Sequence, residues 1–229
     1  MADDKLGQGR TLDALNARGL AGKRDYVRSL EQRRDEEAMS LLVECLCDES
    51  WYLRELAESA LLRLGDRAGE TLLPLLEQGL WFSRASSARV LGRLGYSPAA
   101  AGMLRLLDDA NATVAQAAGA ALCELAHRGG SARIAWELHR LEPERRHVRL
   151  ERFMALDRPL HERLERMVTN DDLMSHEDPG NLRDDSELVR ASEEGVEWEV
   201  LTGPPSPARP KPATPAPSGS PGTGPTPSS

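Results

Sequence analysis

Large aromatic side chains and long apolar runs are scarce in this sequence. Aromatic residues make up 4% of the 229 residues, and there are three cysteines, an odd number that does not close a disulfide framework. No apolar run approaches the ~18 residues that a membrane-spanning helix needs, and the polar start Met-Ala-Asp-Asp-Lys has no hydrophobic signal segment. We therefore expect no membrane association, and we expect a protein of the reducing cytoplasm.

An excess of positive charge is also lacking. The formal net charge is −8, to which residues 1–169 contribute 25 − 26 = −1, residues 170–199 contribute 2 − 11 = −9, and residues 200–229 contribute +2. Proteins that bind nucleic acid concentrate Lys and Arg on one face, and no segment here shows that concentration. We therefore expect no DNA or RNA partner.

What the sequence does contain is a pattern of apolar and small residues that recurs about every 30 residues. The first copy is Leu53, Ala57, Ala60, Leu61 and Leu64, at i, i+4, i+7, i+8 and i+11, which is one face of an α-helix. Shifts of 30 and 61 residues reproduce this pattern, and the same shifts align the helix that precedes each copy. The sequence therefore predicts three stacked helical hairpins.

Further elements extend the stack at both ends. A degenerate fourth hairpin is predicted from Ile134 to Leu156, followed by a closing helix from Arg158 to Val168, while Tyr26, Val27 and Leu30 predict an amino-terminal capping helix. Gly65 and Gly95 are expected at helix ends, and Ser131 is expected to cap a helix. We predict an all-α fold with four regions: a capping segment (1–35), a repeat region (36–168), an acidic disordered linker (169–202) and a proline-rich disordered tail (203–229).

The run from Asp48 to Gly65 resembles the HEAT repeat, in particular the bacterial class of about 30 residues that is similar to phycobilisome-lyase repeats. The resemblance covers about 36–156 and implies an α-α superhelix, a solenoid of about four hairpins. It also implies a charge ladder between neighbouring turns, for which this chain offers Asp48, Arg54, Arg84 and Asp109. The sequence departs from the family pattern with Trp51 and Trp81 where proline is common, Gln78 for Asp and Ala115 for Arg. We therefore expect an incomplete ladder.

In HEAT proteins the second helices line the concave surface, so the resemblance implies where a partner would bind. The side chains expected on that surface are Glu55, Glu58, Ser59 and Leu62, then Ala85, Ala88, Arg89 and Gly92, then Gln116, Gly119, Ala120 and Cys123. Most are small, which fits either a floor that a peptide backbone approaches closely or helices that pack tightly against one another. From this set we take Glu55, Glu58, Leu62, Arg89 and Gln116 as candidate partner-binding residues.

Two aromatic pairs one repeat apart form the second candidate surface. Trp51-Tyr52 and Trp81-Phe82 lie at the turn within their hairpins. Exposed rings at such places serve as binding anchors. Amphipathic rings at turns also wedge between adjacent repeats, and this is the interpretation that we favour from the sequence.

The carboxyl-terminal regions cannot bury enough apolar surface to fold alone. Within the linker, residues 196–201 alternate apolar and acidic side chains around Trp198, which is either a short docking motif or a chance cluster. Residues 203–229 contain ten prolines, including Pro204-x-x-Pro207 and Pro207-x-x-Pro210. We interpret this tract as a spacer.

No catalytic motif stands out. His161-Glu162 and His176-Glu177 are similar to the iron-binding pairs of HEAT-repeat deoxyhypusine hydroxylases, but they lie 15 residues apart rather than one repeat, and we expect no metal and no cofactor. Cys45 and Cys47 point to different helix faces and are expected to pack in the core.

We interpret the chain as a non-enzymatic adaptor or scaffold that binds a protein or peptide. One alternative is a lyase-like or chromophore-handling protein, for which only Glu55, Glu58 and Cys123 offer a nucleophile or carboxylate on the inner helices. Another is a HEAT-type DNA-repair protein, which needs a basic groove where this chain supplies only Arg89. The oligomeric state is left open.

Overall fold

The computed structural model describes Leu15 and residues 17–175, and within these residues all regular structure is helical. The α-helices are α1 (Gly19–Arg33), α2 (Glu36–Leu46), α3 (Trp51–Leu64), α4 (Asp66–Leu72), α5 (Leu75–Gln78), α6 (Trp81–Leu94), α7 (Ala100–Leu106), α8 (Ala112–Leu125), α9 (Ser131–His139), α10 (Pro143–Leu156), α11 (Arg158–Val168) and α12 (Asp171–Met174). The all-α class is confirmed. In the described part of the chain, no helix is both long and apolar enough to cross a bilayer.

The helices pack as consecutive hairpins. α2 contacts α3, α5 contacts α6, α7 contacts α8, and α9 contacts α10. The first helices of neighbouring hairpins also touch one another, and so do the second helices in the order α3, α6, α8 and α10. α1 packs on α2 and α3 and buries Val27 and Leu30. This packing order is the one that the 30-residue period predicts.

Helix ends follow local chemistry. Asp35 accepts a hydrogen bond from the backbone N–H of Ala38 at the start of α2 (2.7 Å), and Asp157 accepts one from the N–H of Leu160 at the start of α11 (3.0 Å). Gly65 and Gly95 end α3 and α6 with φ of 69° and 70°, a region that favours glycine. These two glycine ends are confirmed.

Proline divides the first helix of the second hairpin. α4 ends at Leu72 and α5 begins at Leu75, with Pro74 between them. Pro74 has no N–H to donate, and inside a continuous helix its ring would clash with the carbonyl group four residues earlier. The hairpin therefore begins with two short helices.

One prediction at a helix end is wrong. Ser131 is not a cap: it is the buried first residue of α9, its hydroxyl lies 3.5 Å from the carbonyl oxygen of Ala126, and Gly130 occupies the cap position. Beyond the closing helix lies the short helix α12, whose Met174 is buried and which contacts α9 and α11. Residues 176–229, including Trp198 and the proline-rich region, lie outside the described residues.

The charge ladder is incomplete, as the sequence predicts. Arg84 donates two hydrogen bonds to Asp109 of the next hairpin, from Nε to Oδ2 (2.8 Å) and from Nη2 to Oδ1 (2.9 Å). Arg54, at the equivalent position, donates instead to the backbone carbonyls of Asp48 and Glu49 (both 2.8 Å). Gln78 stands where an Asp partner for Arg54 is expected, so only the second link forms.

Because α6 and α8 approach each other closely at Gly92, we expect the stability of the protein to be sensitive to substitution there. A Cβ atom on Gly92 would lie 2.5 Å from the carbonyl oxygen of Ala121, which cannot move without displacing α8. Gly92→Ala should therefore lower the free energy of unfolding by about 1–3 kcal/mol, despite the higher helix propensity of alanine. In Gly119→Ala, the clash is with the end of the flexible Leu156 side chain, so we expect a change below about 1 kcal/mol. Urea titration followed by circular dichroism measures both, and equal losses would contradict this packing.

The Arg84–Asp109 pair predicts acid sensitivity. Hydrogen bonding to Arg84 lowers the pKa of the Asp109 carboxyl group, burial opposes this effect, and the N–H of Asn111 reinforces it. Because the folded-state pKa is depressed, the stabilisation is complete above the unfolded value of about 3.9 and is lost as pH falls through the lower folded value. Asp109→Asn should remove this acid-dependent loss and lower stability at pH 7 by about 1.5–3 kcal/mol.

The matched control for Asp109→Asn is Glu77→Gln, which removes the exposed ion pair between Glu77 and Arg105. Exposed pairs contribute about 0–1 kcal/mol, so this variant should stay close to the original chain in stability between pH 2 and pH 7. Parallel urea titrations across this pH range give both results. If the free energy of unfolding of Asp109→Asn has the same pH dependence as that of the original chain, other carboxyl groups cause the acid sensitivity.

Candidate functional site

An aromatic edge is formed where α3 and α6 begin. We use this name for Trp51, Tyr52, Leu80, Trp81 and Phe82. Trp51 and Trp81 are the first residues of their helices and are 68% and 45% exposed, and Leu80 is 62% exposed. These three side chains place a strip of apolar surface in solvent, at the turn positions that the sequence predicts.

Each tryptophan is held by its neighbour in sequence. The rings of Trp51 and Tyr52 lie edge to face with centroids 5.8 Å apart, and those of Trp81 and Phe82 lie 5.5 Å apart in the same arrangement. Tyr52 and Phe82 are half-buried. Within each pair, one ring is therefore half-buried while the other faces solvent, so the tryptophans do not wedge between the repeats as the favoured interpretation expects.

Arg54 joins the two ends of the aromatic edge. Its guanidinium group lies 4.8 Å from the centroid of the Phe82 ring, a cation–π contact, while its Nη1 group holds the turn before α3. Phe82 belongs to the hairpin after that of Arg54. The first turns of α3 and α6 are therefore fixed relative to one another.

The amino-terminal helix supports the same edge. Lys23 of α1 is buried and donates from Nζ to the Ser50 hydroxyl (2.8 Å), and Arg24 donates to the hydroxyl of Tyr52 (3.3 Å). Ser50 is the residue immediately before α3. α1 thus anchors the turn that presents Trp51, so the ring projects from a supported backbone.

Two of the charged candidates on the second helices pair with each other and so link two neighbouring hairpins. Glu58 of α3 accepts from the Nη2 group of Arg89 of α6 (2.5 Å), and the same group donates to the Ser86 hydroxyl (2.8 Å). Glu55 and Gln116 are exposed but belong to different hairpins, and Leu62 is half-buried against the core. Only Glu58 and Arg89 of this set contact one another.

The expected floor of small residues is largely covered, which corrects that part of the prediction. Ala85, Ala88 and Gly92 are buried because α6 packs directly on α8. Gly119 is buried beneath the Leu156 side chain of α10. At these positions the small side chains permit close helix packing, the second of the two interpretations considered from the sequence.

A cavity of about 430 Å³ lies at the start of α11. It is lined by Ala126, His127, Gly129, Ser131, Asp157, Pro159, Leu160 and Arg163. The Nε2 atom of His127 lies 3.0 Å from Oδ2 of Asp157, whose other oxygen caps α11, and Arg163 donates to the Ser131 hydroxyl (3.2 Å). These polar groups hydrogen-bond to one another, and so they hold α11 against the turn before α9.

The thiols are poor nucleophiles. Burial raises the pKa of Cys45 to about 12, and burial together with the negative charge of Asp157 raises the pKa of Cys123 to about 11. The thiolate is the reactive form of cysteine. Cys123, which the lyase-like alternative requires as a nucleophile, is therefore protonated near neutral pH.

Among the described residues, no three His, Cys, Asp or Glu side chains lie close enough together to hold a metal ion. His161 is buried within α11, and His176 lies outside the described residues.

Comparison with models of known protein families gives no match, and no characterised protein is significantly similar in sequence. Membership of the HEAT family, and the superhelix that it implies, therefore stay predictions from the sequence. The description of the aromatic edge does not depend on that membership, because it uses only the positions of this chain's own residues.

The raised pKa of Cys123 predicts slow alkylation. A rise of two units above the ordinary value of 9 lowers the thiolate fraction about 100-fold, and the greater intrinsic reactivity of a more basic thiolate recovers about 10-fold, so iodoacetamide should react roughly 10-fold slower than with an ordinary thiol. Mass spectrometry of the native chain at pH 7.5 measures this rate. The control is the same chain in denaturant, and equal rates in the two states would show an unperturbed thiol.

Proposed function

We propose that the chain is a non-enzymatic adaptor of the cytoplasm that binds a protein or peptide through the aromatic edge. The observation that supports this proposal most directly is the exposure of Trp51, Leu80 and Trp81 on neighbouring helix ends. Tryptophan is among the residues most enriched at the energetic centres of protein interfaces. An adjacent pair of exposed tryptophans is therefore the best candidate binding surface on the described residues.

The distribution of aromatic residues points the same way. The chain has four tryptophans, three tyrosines and two phenylalanines, nine rings in all, and four of the nine belong to the aromatic edge. A chain so poor in aromatic residues would gain more stability by burying them in its core. Their concentration at a partly exposed edge therefore supports a binding role.

Rigidity of the edge favours affinity. Binding is weakened by the entropy lost when interface side chains become ordered, at about 0.5–1.5 kcal/mol for each flexible side chain. Here the ring pairs, the Arg54 stack on Phe82 and the bond from Arg24 to Tyr52 restrict the edge before a partner arrives. Less of the interaction energy is then needed to order it.

The two alternatives receive less support from the side chains that they require. A lyase-like activity needs a free nucleophile or carboxylate on the inner helices, and of the three candidates the Cys123 thiol is protonated and Glu58 is paired with Arg89, which leaves Glu55 as the one exposed carboxylate. A DNA-repair role needs basic groups aimed at phosphates, and the single arginine that the sequence offered on the inner helices, Arg89, is held in that same pair. The proposal therefore stays with adaptor binding.

Removal of the tryptophans tests the proposal. Trp51→Ala and Trp81→Ala should each weaken binding by about 2 kcal/mol, roughly 30-fold, because each removes an anchor of the hot-spot kind. Full-length tagged chains are used for affinity capture from lysate, and bound proteins are quantified by mass spectrometry. We expect a discrete set of proteins to be retained by the original chain and depleted with the double variant.

Met154→Ala is the matched control, because Met154 is 47% exposed on α10, away from the edge. It should retain the same partners as the original chain. Circular dichroism is expected to show equal helicity for all variants, since none of the three side chains is a fully buried one. Equal recovery of every partner by the double tryptophan variant would refute binding through the aromatic edge.

A further inference from the structure

We propose that the ligand of the aromatic edge is an extended, basic proline-rich peptide in the polyproline II conformation, with prolines three residues apart against Trp51 and Trp81. This inference rests on the proposed function, because it names the ligand class of the same surface. It is carried by three observations: the direct packing of the two helices that begin with the tryptophans, the chemistry of the exposed side chains, and the charges beside them.

The spacing of the helices matches the repeat of polyproline II. α3 and α6 pack directly, and packed helices lie about 8–10 Å apart. Trp51 and Trp81 are the first residues of these helices, and the Arg54 contact with Phe82 holds the two helix ends side by side. Polyproline II has three residues per turn and a rise of about 3.1 Å per residue, so prolines at i and i+3 recur on one side every ~9.3 Å.

The chemistry of the edge suits proline. Grooves that recognise proline-rich peptides are lined by aromatic rings, against which the pyrrolidine rings pack, and the peptide loses little entropy because its conformation is preformed. Trp51 and Trp81 present such rings, and Leu80 precedes Trp81 with an exposed apolar side chain. An extended peptide that crosses from one helix end to the other would therefore meet apolar surface throughout.

The charges beside the edge favour a basic peptide. Glu49 lies in the turn before Trp51, and Glu55 lies one helical turn after it on the same face. Both are exposed, and neither forms a salt bridge within the described part of the chain. The nearby cations Lys23, Arg24 and Arg54 keep their charge but are already directed at the Ser50 hydroxyl, the Tyr52 hydroxyl and the Phe82 ring. Two carboxylates are thus left to attract an arginine or lysine that flanks the prolines.

The chain's own sequence supplies a suitable probe. Residues 203–212 read Gly-Pro-Pro-Ser-Pro-Ala-Arg-Pro-Lys-Pro, with prolines three residues apart at 204, 207 and 210 and basic residues at 209 and 211. A peptide of this sequence combines both features of the proposed ligand. The receptor carries the same sequence, and its Pro212 and Pro215 are also three residues apart beside Lys211, so the receptor needs alanines at Pro204, Pro207, Pro210 and Pro212.

Fluorescence anisotropy then tests the proposal. The receptor is the full chain with Pro204→Ala, Pro207→Ala, Pro210→Ala and Pro212→Ala, and the probe is the fluorescein-labelled peptide of residues 203–212. We expect saturable binding that weakens at least about 10-fold with Trp51→Ala or Trp81→Ala, since each removes one ring from the contact. Met154→Ala in the same receptor should leave the affinity unchanged.

One altered peptide and one receptor variant separate apolar from charged recognition. A peptide with alanine at the three spaced prolines should bind at least about 10-fold more weakly, because both the ring contacts and the preformed conformation are lost. The receptor variant Glu55→Lys should weaken binding of the original peptide several-fold, and this difference should shrink as salt is raised from about 0.05 M to 0.5 M.

The outcomes distinguish this inference from the proposed function. Absence of saturable binding, or binding that does not depend on Trp51 and Trp81, overturns the proline-rich ligand. If the capture experiment still yields partners that depend on the two tryptophans, the adaptor function stands with a ligand of another class. If neither experiment depends on them, both proposals fall.

Discussion

The contact between α6 and α8 is the interaction on which the rest of the structure depends. α6 lies between α3 and α8, so its small side chains are enclosed, and the backbone at Gly92 meets the backbone at Ala121. A chain with few aromatic residues fills its interior by bringing helices close together, which recovers the packing density that bulky rings would otherwise provide. The same close approach lets Leu156 of α10 cover Gly119.

A single departure from the repeat pattern links this packing to the candidate site. Arg84 reaches Asp109 of the next hairpin, but Arg54 finds Gln78 in the corresponding turn and stacks on Phe82 instead. The arginine that would have joined two charged turns thus joins two aromatic pairs. The link between α3 and α6 is kept, and the surface beside it becomes apolar.

Much of this fold is predictable from the sequence, because the 30-residue period and the apolar faces determine which segments are helical and which helices are neighbours. The closing helix begins and ends at the predicted residues, Arg158 and Val168. The exposure of individual side chains is less predictable, since it depends on how closely neighbouring helices approach. Ala85 and Gly92 were expected at the surface because a helical wheel shows which side of a helix they occupy, and it does not show that α8 covers that side.

The candidate site was predictable in position but not in form. The sequence favoured packing of these rings between repeats, and only the folded structure shows that Trp51 and Trp81 are exposed while Tyr52 and Phe82 are half-buried. Both tryptophans occupy the first position of a helix, where proline is favoured because its fixed φ suits the helix and its missing N–H has no partner to lose. Tryptophan there gives up that advantage and leaves a large ring in water. Local folding therefore does not account for the choice of residue, and this is what the proposed binding role would explain.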